Sequence, residues 1–424
     1  MGRLSLWLIG LDMKIVFFTD HFVPEISAPA AHIYDRCNIW VQQGHDVTVI
    51  TNVPNYPLGE PYEGYKNRLR YWELLDGIKV LRVGTYMAEN KGTVKRTIDY
   101  ISFTISSFFN SLSLSRPDVV YSTSPHIFTP LGAIGFAFLK RAPHVVEIRD
   151  LWPDSIAGTT GMSRNSLVYK FFQIIEKFIY RTSSQVIVFT DSFKSALTAK
   201  GVNAEKVHVV INGANNAMFS PQEYDAHLAA SLNLKNKFVV GYMGTHGLSH
   251  DLLNAVRAAA ILKHEDIHFL FVGEGADKPS MVCLAEELNA TNIHFVGRQP
   301  RENIPGYWGL CDVGLVHLKN EPVFETVIPS KIFETMASGR PIMYCGPESD
   351  GSRLILKYGS GLVAPPDNPG ALAKKIKELK DNLDLRASLA ASGKRASSLF
   401  SRTSQSKGTM DVLHLAVKGR EIKA

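Results

Sequence analysis

The stretch "KFVVGYMGTHG", residues 237–247, decides the fold. A short apolar run rich in β-branched and aromatic residues stops at Gly244 and Gly247, and a helical pattern follows at "SHDLL". That is a buried strand turning through glycines into a helix, the unit from which parallel sheets are built. Five more strand patterns follow at similar spacing: "IHFLFVGEG" (267–275), "NIHFVGRQP" (292–300), "CDVGLVHL" (311–318), "PIMYCG" (341–346) and "SGLVAPP" (360–366). Residues 371–400 read as largely helical, and the chain closes on the helix-compatible "MDVLHLAVKGREIKA" (410–424).

An earlier series has the same grammar. "KIVFFTD" (14–20), "DVTVITN" (46–52), "DVVYST" (118–123), "HVVEIRD" (144–150), "QVIVFTD" (185–191) and "VHVVIN" (207–212) read as strands, and "AAHIYDRCNIWVQQGH" (30–45) reads as a helix closed by Gly44 in the left-handed conformation. The chain is therefore α/β, with two Rossmann-like, doubly wound domains. We expect residues 1–12 to be an extension before a natural start at Met13, and residues 13–212 to form the first domain, joined by a C-terminal helix at 405–424. Residues 213–236 read as a linker and 237–400 as the second domain. Two such halves in tandem place the carboxyl ends of both sheets at a shared central cleft, where ligands of these sheets bind.

Composition bounds the rest. With 45% hydrophobic and 20% charged residues in 424, the chain is globular and long enough for two cores. A net charge of +6 suits a phosphate-bearing ligand or an anionic membrane surface and does not argue for nucleic acid. Cys37, Cys283, Cys311 and Cys345 are scattered without a CxxC pair, which argues against a zinc site or a disulfide framework. No apolar run of about 18 residues is present to span a bilayer.

Candidate chemistry gathers in the second half. Small residues at Gly244 and Gly247 let a diphosphate approach the backbone at a helix start, with His246 and His250 at hand for a hydrogen bond or charge; a plain strand-to-helix turn with exposed histidines is the alternative. Gly273 and Gly275 make a second glycine turn, and Gly297 a third, beside which Arg298 can stack on a base or contact phosphate. In "FETVIPSKIFETMASGRPIMYC" (324–345), Pro329 and Ser330 suit a helix start, and Gly339 with Pro341 its end. Lys331 has the wrong sign for that end of the dipole and calls for an anion. Glu334, one turn on, can accept both hydroxyl hydrogens of a ribose. The alternative is an i,i+3 Lys331–Glu334 pair on a solvated face.

These pieces resemble the retaining glycosyltransferases of family 4, which have the GT-B fold, over nearly the whole chain from Met13 to about Leu389. The bacterial O-antigen and capsule enzymes similar to N-acetyl-L-fucosamine transferases are the type most resembled. The resemblance rests on "FVPEISAPAAHIYD" (22–35), "GHDVTVITNVPNYPLGEPYEGYK" (44–66), "RPDVVYSTSP" (116–125), "EIRDLWPDS" (147–155), "MGTHGLSHDL" (243–252) and "IPSKIFETMASGRPI" (328–342). It implies that Glu334 binds the nucleotide ribose. The family's sugar-contacting glutamate falls on Thr326, with Glu325 one place off, and the usual diphosphate arginine and lysine fall on Thr245 and His250. Lys331, Ser330 and the helix start would then carry the phosphates, with Gly244 and Gly273 beside them. Arg149 and Asp150 fall where relatives keep a His-Asp pair beside the transferred sugar; a buried Arg–Asp pair at a strand end is the alternative. Glu25 and Ser27 lie in the loop at the family's glycine-rich position, expected beside the acceptor or the diphosphate, and Asn55 and Tyr56 lie in the "PNYP" loop, expected beside the acceptor.

What the resemblance implies, then, is transfer of a sugar, an N-acetylated deoxyhexose by this analogy, from a UDP-sugar to a polyprenyl-diphosphate-linked saccharide at the inner face of the cytoplasmic membrane. No metal or other cofactor is expected, and closure of the two domains would exclude water. The segment 90–118, basic and then apolar, is expected to lie in the membrane interface, with Lys91, Lys95 and Arg96 at head groups and Phe103, Phe108, Phe109 and Leu112 beneath; a core helix is the alternative. A UDP-sugar 2-epimerase of the same fold and a non-catalytic assembly scaffold are the competing functions.

Overall fold

The computed structural model describes residues 12–89, 93–124, 126–160 and 162–421; Lys91 and all but Asp12 of the expected extension lie outside these. The described residues divide into two compact units, those up to 211 together with those from 405 onward, and residues 212–404.

In the first unit the strands are β1 (Lys14–Phe18), β2 (Asp46–Asn52), β3 (Arg70–Leu75), β4 (Ile78–Val83), β5 (Val119–Ser124), β6 (His144–Ile148), β7 (Gln185–Val188) and β8 (Val207–Val209). They form one sheet in the order β3-β4-β2-β1-β5-β6-β7-β8. Only β3, paired with β4, runs antiparallel. This edge hairpin is absent from the sequence expectation, although Asp76 and Gly77 carry the positive φ angles (48° and 83°) that a two-residue hairpin turn demands.

The helices that matter below are α1 (Ala28–Gln42), α2 (Thr93–Ser111), α3 (Thr129–Lys140), α4 (Asp154–Thr160) and α5 (Leu167–Thr182). Strand residues alternate between the two faces of the sheet. Ile15, Phe17 and Val145 pack with Trp40 of α1 and Leu413 of the final helix. Val16, Phe18 and Val120 pack with Phe103 of α2 and Phe136 of α3, and Val146 and Val188 with Ile179 of α5. Helices α2, α3 and α5 therefore cover the same face.

The second unit holds β9 (Phe238–Met243), β10 (Ile267–Val272), β11 (Ile293–Val296), β12 (Val313–His317), β13 (Ile342–Cys345) and β14 (Gly361–Ala364), all parallel, in the order β11-β10-β9-β12-β13-β14. All six expected strands are present. The expected linker is instead folded into this unit: residues Ala226–Ser231 are helical, and Ala214 bridges to Ser401. In each sheet the order reverses at one place, between β1 and β5 and between β9 and β12, and the carboxyl ends there form the binding crevice of such a sheet.

Candidate active site

In the second unit the turn after β9 and the helix Ser330–Ala337 meet at this crevice. Gly244 has φ +137°, and a Cβ on it would stand 2.8 Å from Lys331 Cε and 2.9 Å from Nζ, so the lysine lies across the bare glycine. The ammonium also sits 4.9 Å from the centre of the Tyr242 ring. The helix begins at Pro329 with no side-chain cap, leaving its first N–H groups open to a ligand.

Lys331 and Glu334 are both half-buried, and no ion pair joins them among the described residues, so the solvated i,i+3 pair is not what forms. Burial holds Lys331 below the ordinary lysine range, partly offset by Glu334. Burial lifts Glu334 above the usual carboxylate range, against the pull of Lys331, Arg402 and Arg301. Both groups are thus held short of ideal partners in the free protein.

The two histidines differ from expectation. His246 is not exposed: it is 0% accessible, packed against Tyr242 and Phe271. Its turn is nested on the second glycine turn, through His246 N–H to the Glu274 carbonyl (2.9 Å) and Asp277 N–H to the His246 carbonyl (2.9 Å). A Cβ on Gly273 would stand 1.9 Å from the Gly244 carbonyl oxygen. His246 is therefore a packing wedge between interlocked turns. His250 is half-buried, and burial followed by the Lys331 charge pushes its pKa down to about 3, so it is neutral at pH 7 and offers a hydrogen bond rather than a charge.

The other expected contacts are placed less tightly. Thr245 is exposed, with its carbonyl accepting from Tyr242 Oη at 2.8 Å. Ser330 and Thr326 are half-buried, while Glu325 is exposed. Arg298 is exposed just beyond the end of edge strand β11.

In the first unit a cavity of about 230 Å³ opens at the β1/β5 crevice, lined among others by Asp20, His21, Tyr56, Asp99, Tyr100 and His126. Ser27 and Asn55 line it too. Ser27 also caps α1, accepting from Ala30 N–H. Glu25, expected to face an acceptor, is spent on the protein itself. Oε1 accepts from the N–H groups of Asn55 (3.0 Å) and Tyr56 (3.1 Å), and Oε2 lies 2.7 Å from His21 Nδ1. It pins the two loops together.

Sequence reasoning missed Asp20, His21, Asp99 and His126 in this cavity. Asp20 Oδ2 lies 3.0 Å from His126 Nε2, and Tyr100 stacks on His126 at 3.8 Å. Burial opposes the charge on Asp20, but His21 and His126 outweigh it and hold the carboxyl well below its usual range. Burial likewise opposes protonation of His21, yet Asp20, Glu25 and Asp99 lift its pKa to about 9. Asp99 is raised to about 6, by burial first and then by the like charges of Asp20 and Glu25. A carboxylate titrating near there is suited to hold or take a hydroxyl proton.

Arg149 and Asp150 do not pair. Arg149 Nε donates to Thr123 Oγ1 (2.9 Å) and Glu147 Oε1 (3.1 Å), and its guanidinium lies over Phe189. Its Nη2 has no hydrogen-bond partner. Asp150 is exposed at the end of β6. Glu147 is fully buried and shared among Arg36, Tyr121 and Arg149, so the network that aims Arg149 comes from the sheet interior.

Residues 27–213 match the glycosyl transferase 4-like domain, and residues 224–396 match the glycosyl transferases group 1 family. The chain is a family 4 glycosyltransferase of the GT-B fold. This nucleotide-sugar-dependent glycosyltransferase is 28% identical over 335 residues to WcaI of Escherichia coli (strain K12), a glycosyl transferase assigned provisionally to colanic acid biosynthesis, covering 77% of this chain and 82% of that one. It is also 28% identical to a probable glycosyltransferase, WbjE of Pseudomonas aeruginosa, over 64% of this chain and 68% of that one. Among solved structures it is similar to sucrose-phosphate synthase from Thermosynechococcus elongatus (TM-score 0.75, 16% identity, 96% of this chain and 100% of that one). HepE of Anabaena, in complex with UDP-glucose, has a TM-score of 0.69 at 17% identity, over 95% and 99% of the two chains. The epimerase and scaffold readings give way to this membership.

Proposed function

We propose that this glycosyltransferase moves a sugar from a UDP-sugar to a polyprenyl-diphosphate-linked saccharide, with retention of anomeric configuration, during assembly of a bacterial surface polysaccharide of O-antigen or capsule type. The observation that carries the reading is the half-buried Lys331 lying across Gly244 at an uncapped helix start, with Glu334 one turn along the same helix. A diphosphate supplies the negative charge that Lys331 lacks, and a ribose supplies two hydroxyl donors to Glu334. The UDP and UDP-glucose complexes of HepE favour uracil as the base, and the provisional assignment of WcaI favours polysaccharide assembly.

In this reading the bond from the anomeric carbon to the diphosphate oxygen breaks while the acceptor oxygen bonds the same face of the sugar. Negative charge grows on the leaving diphosphate, which Lys331 and the open N–H groups stabilise. The acceptor proton passes to a leaving phosphate oxygen, so no separate base is required. Arg149, with Nη2 unengaged, is the first-unit group proposed to face the sugar, beside Asp150. The cavity of Asp20, His21 and Asp99 is proposed to hold the acceptor saccharide. The enzyme works as a peripheral protein on the inner face of the cytoplasmic membrane, touching it through α2. Among the described residues no helix is long and apolar enough to cross a membrane.

The test is a transfer assay with a panel of UDP-, GDP- and dTDP-sugars and a polyprenyl-diphosphate saccharide, read by mass of the lipid product and by proton NMR of its new anomeric centre. One added sugar from a UDP donor, with the donor's anomeric configuration, is expected. Transfer only from another nucleotide, or an inverted centre, would overturn the corresponding part.

A further inference from the structure

We propose that the outer faces of α5 and α3, together with α2, form one cationic apolar surface that docks on an anionic lipid bilayer, with α5 as a second anchoring helix. This extends the membrane contact proposed above for α2 and rests on that reading for its orientation, though not for its existence. On α5, Leu167, Phe171, Ile174 and Phe178 recur at four- and three-residue steps and are 84%, 57%, 67% and 48% exposed. That is one helical stripe facing out, while Ile175 and Ile179 of the same helix pack into the core. On α2 the matching stripe is Val94, Ile98, Ile101, Ile105 and Phe109, all exposed. Between them in sequence, α3 ends with Phe138, 81% exposed, and Leu139. All three helices cover the same face of the sheet, so these stripes belong to one layer of the unit.

A run of exposed apolar side chains that continues over three neighbouring helices marks a contact surface. Its charges identify the occupant. Lys95, Arg141, Lys170, Lys177 and Arg181 are exposed on or at the ends of these helices. The carboxylates of α2 and α5 point the other way: Asp99 lines the cavity and Glu176 is buried against Lys200. A surface with bare apolar stripes, cations and no exposed acid among the described residues of these helices complements anionic head groups over acyl chains. A protein partner or a second copy would instead call for mixed or self-complementary charge.

The geometry also says what docking is for. Helix α2 has two faces: Arg96, Asp99, Tyr100 and Phe103 line the cavity, and the exposed stripe lies on the outside. A saccharide whose lipid stays in the bilayer reaches the cavity along the helix that rests on that bilayer.

The experiment is flotation of the full-length protein with vesicles of phosphatidylcholine alone, and with phosphatidylglycerol added, for the wild type, the α5 variant Phe171→Ser/Ile174→Ser and the charge variant Lys170→Glu/Lys177→Glu. Circular dichroism and melting check that the exposed substitutions leave the fold intact. The wild type is expected to float with anionic vesicles and to be released by salt, with both α5 variants weakened about tenfold or more while α2 is unchanged. Full binding by both α5 variants, equal binding to neutral vesicles, or a lipid-free dimer that the α5 variant dissociates would each overturn the proposal. The vesicles contain no acceptor, so a protein that floats and fails to transfer sugar counts against the transferase reading alone, and one that transfers and fails to float counts against the docking surface alone.

Discussion

Lys331 lays its ammonium across Gly244, where a Cβ would stand 2.9 Å from Nζ. Gly244→Ala is therefore expected to push the lysine aside rather than break the sheet, because the clash is with the far end of a flexible side chain. The φ of +137° adds a backbone strain of about 1–2 kcal/mol. UDP affinity should fall about tenfold or more, with a modest drop in melting temperature. Unchanged affinity would remove the glycine from the site.

Lys331→Met keeps the stem and removes the charge. Because burial already disfavours the ammonium, the fold should be as stable as the wild type or slightly more so. Transfer should fall about 100-fold in kcat/KM. A matched loss of stability and activity would make the lysine structural.

Gly273→Ala has the opposite profile. Its Cβ would stand 1.9 Å from the Gly244 carbonyl oxygen, and the backbone cannot yield there without parting the two glycine turns. Chemical denaturation should show a loss on the order of 3 kcal/mol.

His21 makes stability depend on pH. Its folded pKa of about 9 lies above the ordinary histidine value of 6.5, so the folded protein holds that proton more tightly than the unfolded chain. The stabilisation is fully present below about pH 6.5 and is lost as pH rises through 9. The stability gap between the wild type and His21→Asn, followed by denaturation from pH 6 to 10, should shrink across that window. A gap that is constant or widens would contradict the charged histidine.

Most strands of both sheets were legible because parallel strands buried on two faces read as unbroken apolar runs. The β3–β4 hairpin escaped because "RYWELL" alternates in exposure at the sheet edge, although its Asp76-Gly77 turn was a signal in plain view. The helix start at Pro329 and its end near Gly339 were readable from local chemistry. The first-unit cavity was not, because Asp20, Asp99 and His126 come from three separate elements that only the fold brings together. Burial was equally invisible: nothing local distinguishes His246, sealed between turns, from half-buried His250 four residues on. On α2 the expected aromatic set divides, with Phe103 in the core and Phe109 outside, because helical spacing alone does not say which stripe faces the sheet.

The most direct test of the donor site is a calorimetric titration with UDP, for the wild type and for Glu334→Ala. Binding by the wild type with a Kd in roughly the micromolar range, weakened about tenfold or more in the variant, is the predicted result. Wild-type protein that gives no heat with UDP, or a variant that binds it equally well, would contradict the assignment of ribose to Glu334 and of diphosphate to the helix start beside it.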